Sequence, residues 1–391
     1  MKEKILVTGG AGFIGSHLVD ALLKAGHHVR VLDNLESQVH GNLGKEGKKP
    51  DYLNSEAEFI LGDIRDPVAV ARALEGIDVV FHEAALVGVG QSMYEIERYT
   101  NVNSYGAAVL LQALVNMEQR PRKIIVASSM SIYGEGAYRC QVHGLVYPKI
   151  REYSQLKARD WEIYCPDPGC QEQVTPCPTA EDKQLFPTSI YAINKRDHEE
   201  MFMSVGRAYN IPSVALRYFN TYGSRQALSN PYTGVAAIFS NRILNDNPPV
   251  IFEDGRQSRD FVHVHDVVQA NLVVMDDDRA NYEFFNVGTG NSISILEVAE
   301  ILNTHITNNS MDPSGKRMGK NSSEAVITGE FRAGDIRHCF PDIERLKALG
   351  YAPSLTFEEG VSELVQWIIE QTPHENFDQA RQELAHRGLT I

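Results

Sequence analysis

Residues Lys4 to Asp33 read KILVTGGAGFIGSHLVDALLKAGHHVRVLD. The apolar run at 4–8 predicts a strand, residues 13–25 carry a helical pattern, and VRVLD at 29–33 predicts a second strand. Gly9, Gly12 and Gly15 lie where the first strand hands over to the helix. The first permits a tight turn, the second lets backbone approach a pyrophosphate at the positive helix N-terminus, and the third allows close helix–strand packing. A glycine triplet alone often marks only a turn, but strand and helix on either side make this a dinucleotide-binding pattern. Asp33 ends the second strand, where a carboxylate accepts hydrogen bonds from a ribose diol and repels a 2′-phosphate, so NAD is expected rather than NADP. The candidate cofactor contacts here are Gly9, Gly12, Phe13, Ile14, Gly15, Asp33 and Asn34.

Further short apolar runs follow: EFILGD (58–63), DVVFH (78–82), KIIVAS (123–128) and SVALRYF (213–219). Continuously apolar, β-branched runs separated by helical patterns are those of parallel strands covered on both faces. The expected fold is α/β, a doubly wound parallel Rossmann sheet with a smaller mixed α/β lobe. Residues 1–134 and 187–225 are assigned to the sheet domain, which also receives 262–290. Residues 135–186 form a Cys-bearing insertion, and 226–261 with 291–391 form the second lobe. Residues 36–57 read as a surface loop, and the polar stretch near 303–330 as another.

The chain has 391 residues, 43% hydrophobic and 23% charged, and a net charge of −14. That is the composition of a globular protein, and its sign argues against a nucleic-acid partner. No uncharged apolar run reaches a membrane-spanning length, so no membrane partner is expected. The start, Met1-Lys-Glu-Lys, runs directly into the first strand instead of a signal-peptide apolar stretch, and a cytoplasmic location is expected. Five cysteines, few and odd in number, are expected to be reduced.

Two motifs carry candidate chemistry. In Tyr191-Ala-Ile-Asn-Lys195 a phenol and an ammonium lie four residues apart, on one face of a predicted helix. A neighbouring cation and an oxidised nicotinamide both favour phenolate, and lowering a tyrosine pKa by ~3 units takes ~4 kcal/mol. The same spacing also suits an ordinary surface Tyr–Lys pair. Ser129, in ASSMSIYG (127–134), stands at the end of the fifth strand, where doubly wound folds bind ligands; a polar loop start with a capping Ser reads the same way.

Together with TGGAGFIG, SSMSIYG and YAINK, the chain carries LRYFNTYGSRQ (216–226), GRQSRDFVHVHDV (255–267), FNVGTG (285–290) and RAGDIRHCFPDI (332–343) in order. In this the sequence resembles the extended short-chain dehydrogenase/reductases of the nucleotide-sugar epimerase/dehydratase type, over nearly its whole length outside the insertion. The resemblance implies Tyr191 as catalytic acid/base, Lys195 as its partner and cofactor anchor, and Ser129 as the residue orienting the reacting hydroxyl. It implies that Asp63 and Ile64 bind adenine, that His82-Glu83-Ala84-Ala85 lines the cofactor through Ala84, and that Asn103 steadies the site backbone. It further implies that Asn220, Arg259, Arg332 and Asp335 hold a nucleoside diphosphate, with Arg forks suited to phosphate.

Dehydrating or decarboxylating relatives carry acids directly after the serine position, whereas this chain has Met130 and Ser131. The leading expectation is therefore an NAD-dependent 4-epimerase working through a transient 4-keto sugar. Its substrates would be dTDP-L-rhamnose-like or UDP-hexose nucleotide sugars. A 4-ketoreductase or dehydrogenase, a dehydratase and a non-catalytic NAD-binding regulator are the alternatives. The resemblance also implies a homodimer built on helices near 104–118 and 189–208. In the insertion, Cys140-x2-His143 and Cys165-x4-Cys170 can hold one structural zinc, or form a degenerate knuckle of metal-free thiols. The position of the insertion between the Ser129 and Tyr191 motifs predicts a lid over the sugar.

Overall fold

A computed structural model describes residues 2–228, 234–309, 324–332, 334–371 and 377–390. Strands β1 (Lys4–Thr8), β2 (His28–Asp33), β3 (Glu58–Leu61), β4 (Val79–His82) and β5 (Lys123–Ser129) precede the insertion. The insertion contributes β6 (Ala137–Cys140), β7 (Gly144–Val146) and β8 (Thr175–Cys177), and β9 (Ser213–Tyr218) returns to the first unit. Then come β10 (Asn220–Tyr222), β11 (Val250–Ile251), β12 (Ser258–Arg259), β13 (Phe261–His263) and β14 (Phe284–Val287). Strands β15 (Ile293–Ser294), β16 (Val326–Ile327) and β17 (His338–Cys339) follow.

Seven strands form one parallel sheet in the order β14-β9-β5-β4-β1-β2-β3. The order reverses between β1 and β4, which opens a crevice at their C-terminal ends. Successive side chains point to opposite faces, so Ile5 and Val7 join one core while Leu6 joins the other. Helices Phe13–Lys24 and Val264–Asp276 cover the first face; Pro67–Leu74, Gly106–Asn116 and Ile190–Tyr209 cover the second. This double coverage is why the strands read as uninterrupted apolar runs. A separate core, with Phe239, Leu302 and Leu364, joins helices Val235–Leu244, Ile295–Asn309 and Phe357–Glu370 in the second lobe.

Three local expectations change. The stretch after β2 is more than a surface loop: Leu53 and Ala57 are buried in the first core, and the Tyr52 hydroxyl donates to the Ala11 carbonyl (2.9 Å). Ile343, Leu346 and Tyr351, assigned from sequence to the second lobe, pack in the sheet's first core. The polar stretch expected as a loop from 303 begins as helix, since Ile295–Asn309 buries Val298, Leu302 and Ile306 along one side; its middle, 310–323, lies outside the described residues. Among the described residues no helix is long and apolar enough to cross a membrane.

Candidate active site

A cleft of about 450 Å³ runs along the crevice. Gly9, Gly12, Phe13, Ile14, Gly15, Asp33, Asn34, Ile64 and Ala84 line one end, with Ser129, Tyr191, Lys195 and Asn220 farther along. Gly9 has φ +70°, and a Cβ there would lie 2.7 Å from the Ala84 backbone, so the turn admits no side chain. The helix that follows starts with neither a side-chain cap nor an acidic residue in its first turn, which leaves its positive end facing the cleft. Asp33 accepts from the Ala11 and Leu35 N–H groups (3.0 and 2.8 Å), and burial raises its pKa.

Tyr191 is set by the start of its helix. Ser189 caps the helix by accepting from Ala192 N, and Ser92 Oγ accepts from Tyr191 N (3.1 Å). One turn on, Lys195 Nζ donates to the Ala127 carbonyl (2.8 Å). The Tyr191 hydroxyl lies beside Ser129, whose hydroxyl favours the phenolate, and the Ser129 oxygen accepts from the Ser131 hydroxyl (3.0 Å). The pair is therefore buried in the cleft rather than on the surface, with Tyr191 at 8% and Lys195 at 3% exposure.

The electrostatics differ from the expectation of a lowered phenol pKa. Burial pushes Tyr191 up to about 12, opposed by the Ser129 hydroxyl. Lys195 is pushed down to about 8 by burial, with the Glu83 charge opposing. Its ammonium is spent on the Ala127 carbonyl, and removal from water outweighs any help it gives the phenolate.

Asn103 does not line the cleft. Its side chain accepts from Leu86 N (2.8 Å) and donates to Leu86 O (3.1 Å), pinning a wall residue from a π-helical turn, Asn101–Tyr105. Asp63 does not face the cleft either: Arg65 holds its carboxylate (2.7 Å) and lowers its pKa to about 2, while Asn34 donates to it (3.0 Å). Arg259, Arg332 and Asp335 are likewise not brought to the cleft wall. Arg259 is spent on the carbonyls of Ser258, Arg337 and Ile336, and Arg332 pairs with Asp335 at 3.0 Å. Nor does the insertion form a lid: no residue from 135 to 186 lines the cleft, because the insertion docks on the second lobe. The buried Arg151–Glu253 pair (2.8 Å) and Arg337 beside Glu162 (3.3 Å) hold it there.

Sequence reasoning passed over Glu83 as a chemical group. It lies in the cleft wall, and burial pushes its pKa up to about 7. The Tyr218 hydroxyl donates to it (2.9 Å) and accepts from Asn271 (2.8 Å). A carboxylate at the end of an otherwise apolar strand, VVFHE, was the available signal. Ser128 Oγ and Asn220 Oδ1, also at the cleft, are buried with no hydrogen-bond partner among the described residues.

Comparison with known proteins agrees with this geometry. Residues 5–159 match the model of the NAD dependent epimerase/dehydratase family, and residues 172–364 match the GDP-mannose 4,6 dehydratase model. The dTDP-L-rhamnose 4-epimerase of Burkholderia thailandensis is 33% identical over 378 residues, covering 96% of this chain and 97% of the relative. The structure of UDP-N-acetylglucosamine 4-epimerase from Methanobrevibacter ruminantium, solved with UDP-N-acetylmuramic acid, superposes with a TM-score of 0.72 at 31% identity, over 95% of this chain and 100% of that one. The UDP-glucose 4-epimerase of Thermus thermophilus, solved with NAD, gives 0.71 at 27% identity, over 94% and 100%. With the parallel sheet, the glycine turn and the Tyr191–Ser129–Lys195 arrangement beneath one cleft, the chain belongs to the NAD-dependent epimerase/dehydratase family.

Proposed function

We propose that this protein is an NAD-dependent nucleotide-sugar 4-epimerase. The observation that carries the reading is the cleft joining the side-chain-free glycine turn and Asp33 to Ser129, Tyr191 and Lys195. The residues fit the cofactor. Asp33 would accept from the adenosine ribose diol, the backbone from Gly12 to Gly15 would receive the pyrophosphate, and Asn34, Ile64 and Ala84 would wall the site. NAD, when bound, supplies reversible hydride transfer at a sugar carbon and a cationic ring that favours phenolate.

Tyr191 takes the proton of the sugar 4-hydroxyl, and Ser129 orients that hydroxyl through its own hydrogen bonds. With the C4 hydride held by the bound cofactor, the 4-keto sugar would turn within the cleft to offer its other face to the returning hydride, and Tyr191 would give the proton back to the 4-oxygen. Lys195, held on the Ala127 carbonyl, has further N–H donors that would reach the cofactor ribose. Asn103 keeps Leu86, and with it the cleft wall, in place. Asn220, with its unpartnered oxygen, contacts the nucleotide sugar; Arg259 holds the Ile336 and Arg337 carbonyls, and Arg332 pairs with Asp335. Met130 and Ser131 both line the cleft and offer no carboxyl to expel a hydroxyl, which disfavours dehydration.

For the sugar we propose a dTDP-6-deoxyhexose such as dTDP-L-rhamnose, with a UDP-hexose second. Val87, Gly88 and Val89 present small apolar surface to the cleft, and the Burkholderia relative supports the choice. Incubation with dTDP- and UDP-sugars, without added NADH, should give C4 epimers by NMR. Stoichiometric consumption of added NADH with a single reduced product would replace the reading by ketoreductase. We also propose a homodimer through helices Gly106–Asn116 and Ile190–Tyr209. Leu110 and Leu114 are spent on the chain's own core, but Tyr105 and Ile193 stay 51% and 43% exposed. Light scattering at micromolar concentration should give twice the chain mass; the mass of one chain would exclude it.

A further inference from the structure

The insertion ends in two hairpin tips that face each other. In the first, β6 and β7 pair antiparallel with Cys140 opposite Gly144, and Gly144 (φ +71°) lets the chain reverse directly after His143. The second tip closes Ile163–Val174, with Val174 N donating to Ile163 O (3.0 Å) and Cys165 N to Glu172 O (2.9 Å). The turn Cys165-Pro-Asp-Pro-Gly-Cys170 brings its two sulfurs to one side. The four-residue spacing that departs from a standard knuckle is absorbed by Gly169 at φ +87°.

One ligand atom from each of Cys140, His143, Cys165 and Cys170 lies within 4.8 Å of all the others. Cys140 Sγ is 3.9 Å from Cys170 Sγ and 3.8 Å from His143 Nδ1, and Cys165 Sγ is 3.4 Å from the same nitrogen. A tetrahedral zinc with Zn–S about 2.3 Å and Zn–N about 2.0 Å has S–S edges of about 3.8 Å and S–N edges of about 3.5 Å. The cysteines are not disulfide-bonded, and their separation is that of ligands rather than of a bridge.

We propose that Cys140, His143, Cys165 and Cys170 bind one structural zinc ion. All four positions are filled by protein, so no place remains for substrate. The need for a staple is physical. The insertion's own core is Tyr138, Cys140, Val146, Ile163, Cys165 and Val174, too small to hold two hairpins, and two of its members are the thiols themselves. Stapling also has a reach beyond the insertion. Tyr138 donates to Glu135, whose carboxylate accepts from Arg337 N (2.8 Å) and His338 N (2.7 Å). Arg151 binds both the Trp161 carbonyl and Glu253, and donates to the Asp335 carbonyl. The zinc thereby fixes a frame against Asp335, Arg337 and His338 while touching nothing in the cleft.

Elemental analysis of the full chain, purified under thiol reductant without added metal, should give one zinc per chain. Cobalt exchanged into that site should show the intense visible absorption of tetrahedral thiolate coordination. Cys170→Ser, at the partly exposed ligand, should lose the metal, and Cys177→Ser and Cys339→Ser should keep it. Fewer than about one zinc per five chains, with none taken up from a zinc-supplemented reduced sample, would overturn the proposal. So would retention of full stoichiometry by both Cys140→Ser and Cys170→Ser, or a Cys140–Cys170 disulfide in the protein as isolated.

Discussion

Gly12→Ala and Gly15→Ala are conventionally the same injury to one motif, yet they should separate cleanly in this protein. A Cβ on Gly15 would run into the Gly9 carbonyl oxygen and lie 2.8 Å from Gly10 Cα, both main-chain atoms of a turn that no rotamer can relieve. The helix cannot slide away, because Leu18, Val19 and Leu22 on it are fully buried. Overpacking of this kind costs about 1–3 kcal/mol, and the better helix propensity of alanine returns about 1 kcal/mol. Because every one of these contacts is with rigid main chain, the cost falls at the upper end of that range, and Gly15→Ala should lose about 2 kcal/mol. A Cβ on Gly12 meets only the Gly9 oxygen at 3.2 Å, and its backbone (φ −74°, ψ −178°) suits any residue. Its unliganded stability should stay within about 1 kcal/mol of the parent. Its methyl would occupy the approach proposed for the pyrophosphate, so NAD should bind at least about tenfold more weakly, about 1.4 kcal/mol. Urea midpoints without ligand and NADH fluorescence titrations read the two effects separately. Parent-like stability in Gly15→Ala, or parent-like NADH affinity in Gly12→Ala, would refute the reasoning.

Tyr191→Phe should lower turnover at least about a thousandfold and leave NADH affinity within a few-fold, because only the proton acceptor is lost; epimerisation above about a tenth of the parent rate would discard Tyr191 as the base. Lys195→Ala should weaken both NADH binding and turnover. Asp33→Ser combined with Asn34→Arg should shift preference toward NADPH, and a parent protein that already favours NADPH over NADH would contradict the role given to Asp33. Glu83 is raised from 4.5 to about 7 on folding, so the folded state holds its proton more tightly. Its stabilising contribution is full below the unfolded pKa and is lost as pH rises through 7. Glu83→Gln should accordingly gain stability relative to the parent between about pH 5 and 8, by at most about 3 kcal/mol, and a pH-independent difference in urea midpoint would exclude the assignment.

Much of this molecule is local, and the local part was legible. The strand–glycine–helix–strand unit at 4–33 is decided by residue size and periodicity, because a buried parallel strand must be apolar throughout and a turn with φ +70° must be glycine. That unit determined the sheet, the crevice and the end of the cleft lined by Asp33, and the i,i+4 spacing of Tyr191 and Lys195 determined a shared helix face. What spacing could not carry was how each polar group is satisfied in three dimensions. Asp63 is drawn onto Arg65, Arg259 onto three carbonyls and Arg332 onto Asp335, since a charged group takes the partner that folding brings nearest. Tyr191 rises rather than falls in pKa because burial, a property of every surrounding element at once, outweighs the Ser129 hydroxyl that favours its phenolate. The insertion sits behind the second lobe because Arg151, Glu162 and Glu135 find Glu253, Arg337 and the 337–338 backbone there, partners far distant in the chain. The four zinc-ligand candidates were visible as residue types, but only the meeting of two hairpin tips set them at tetrahedral distances.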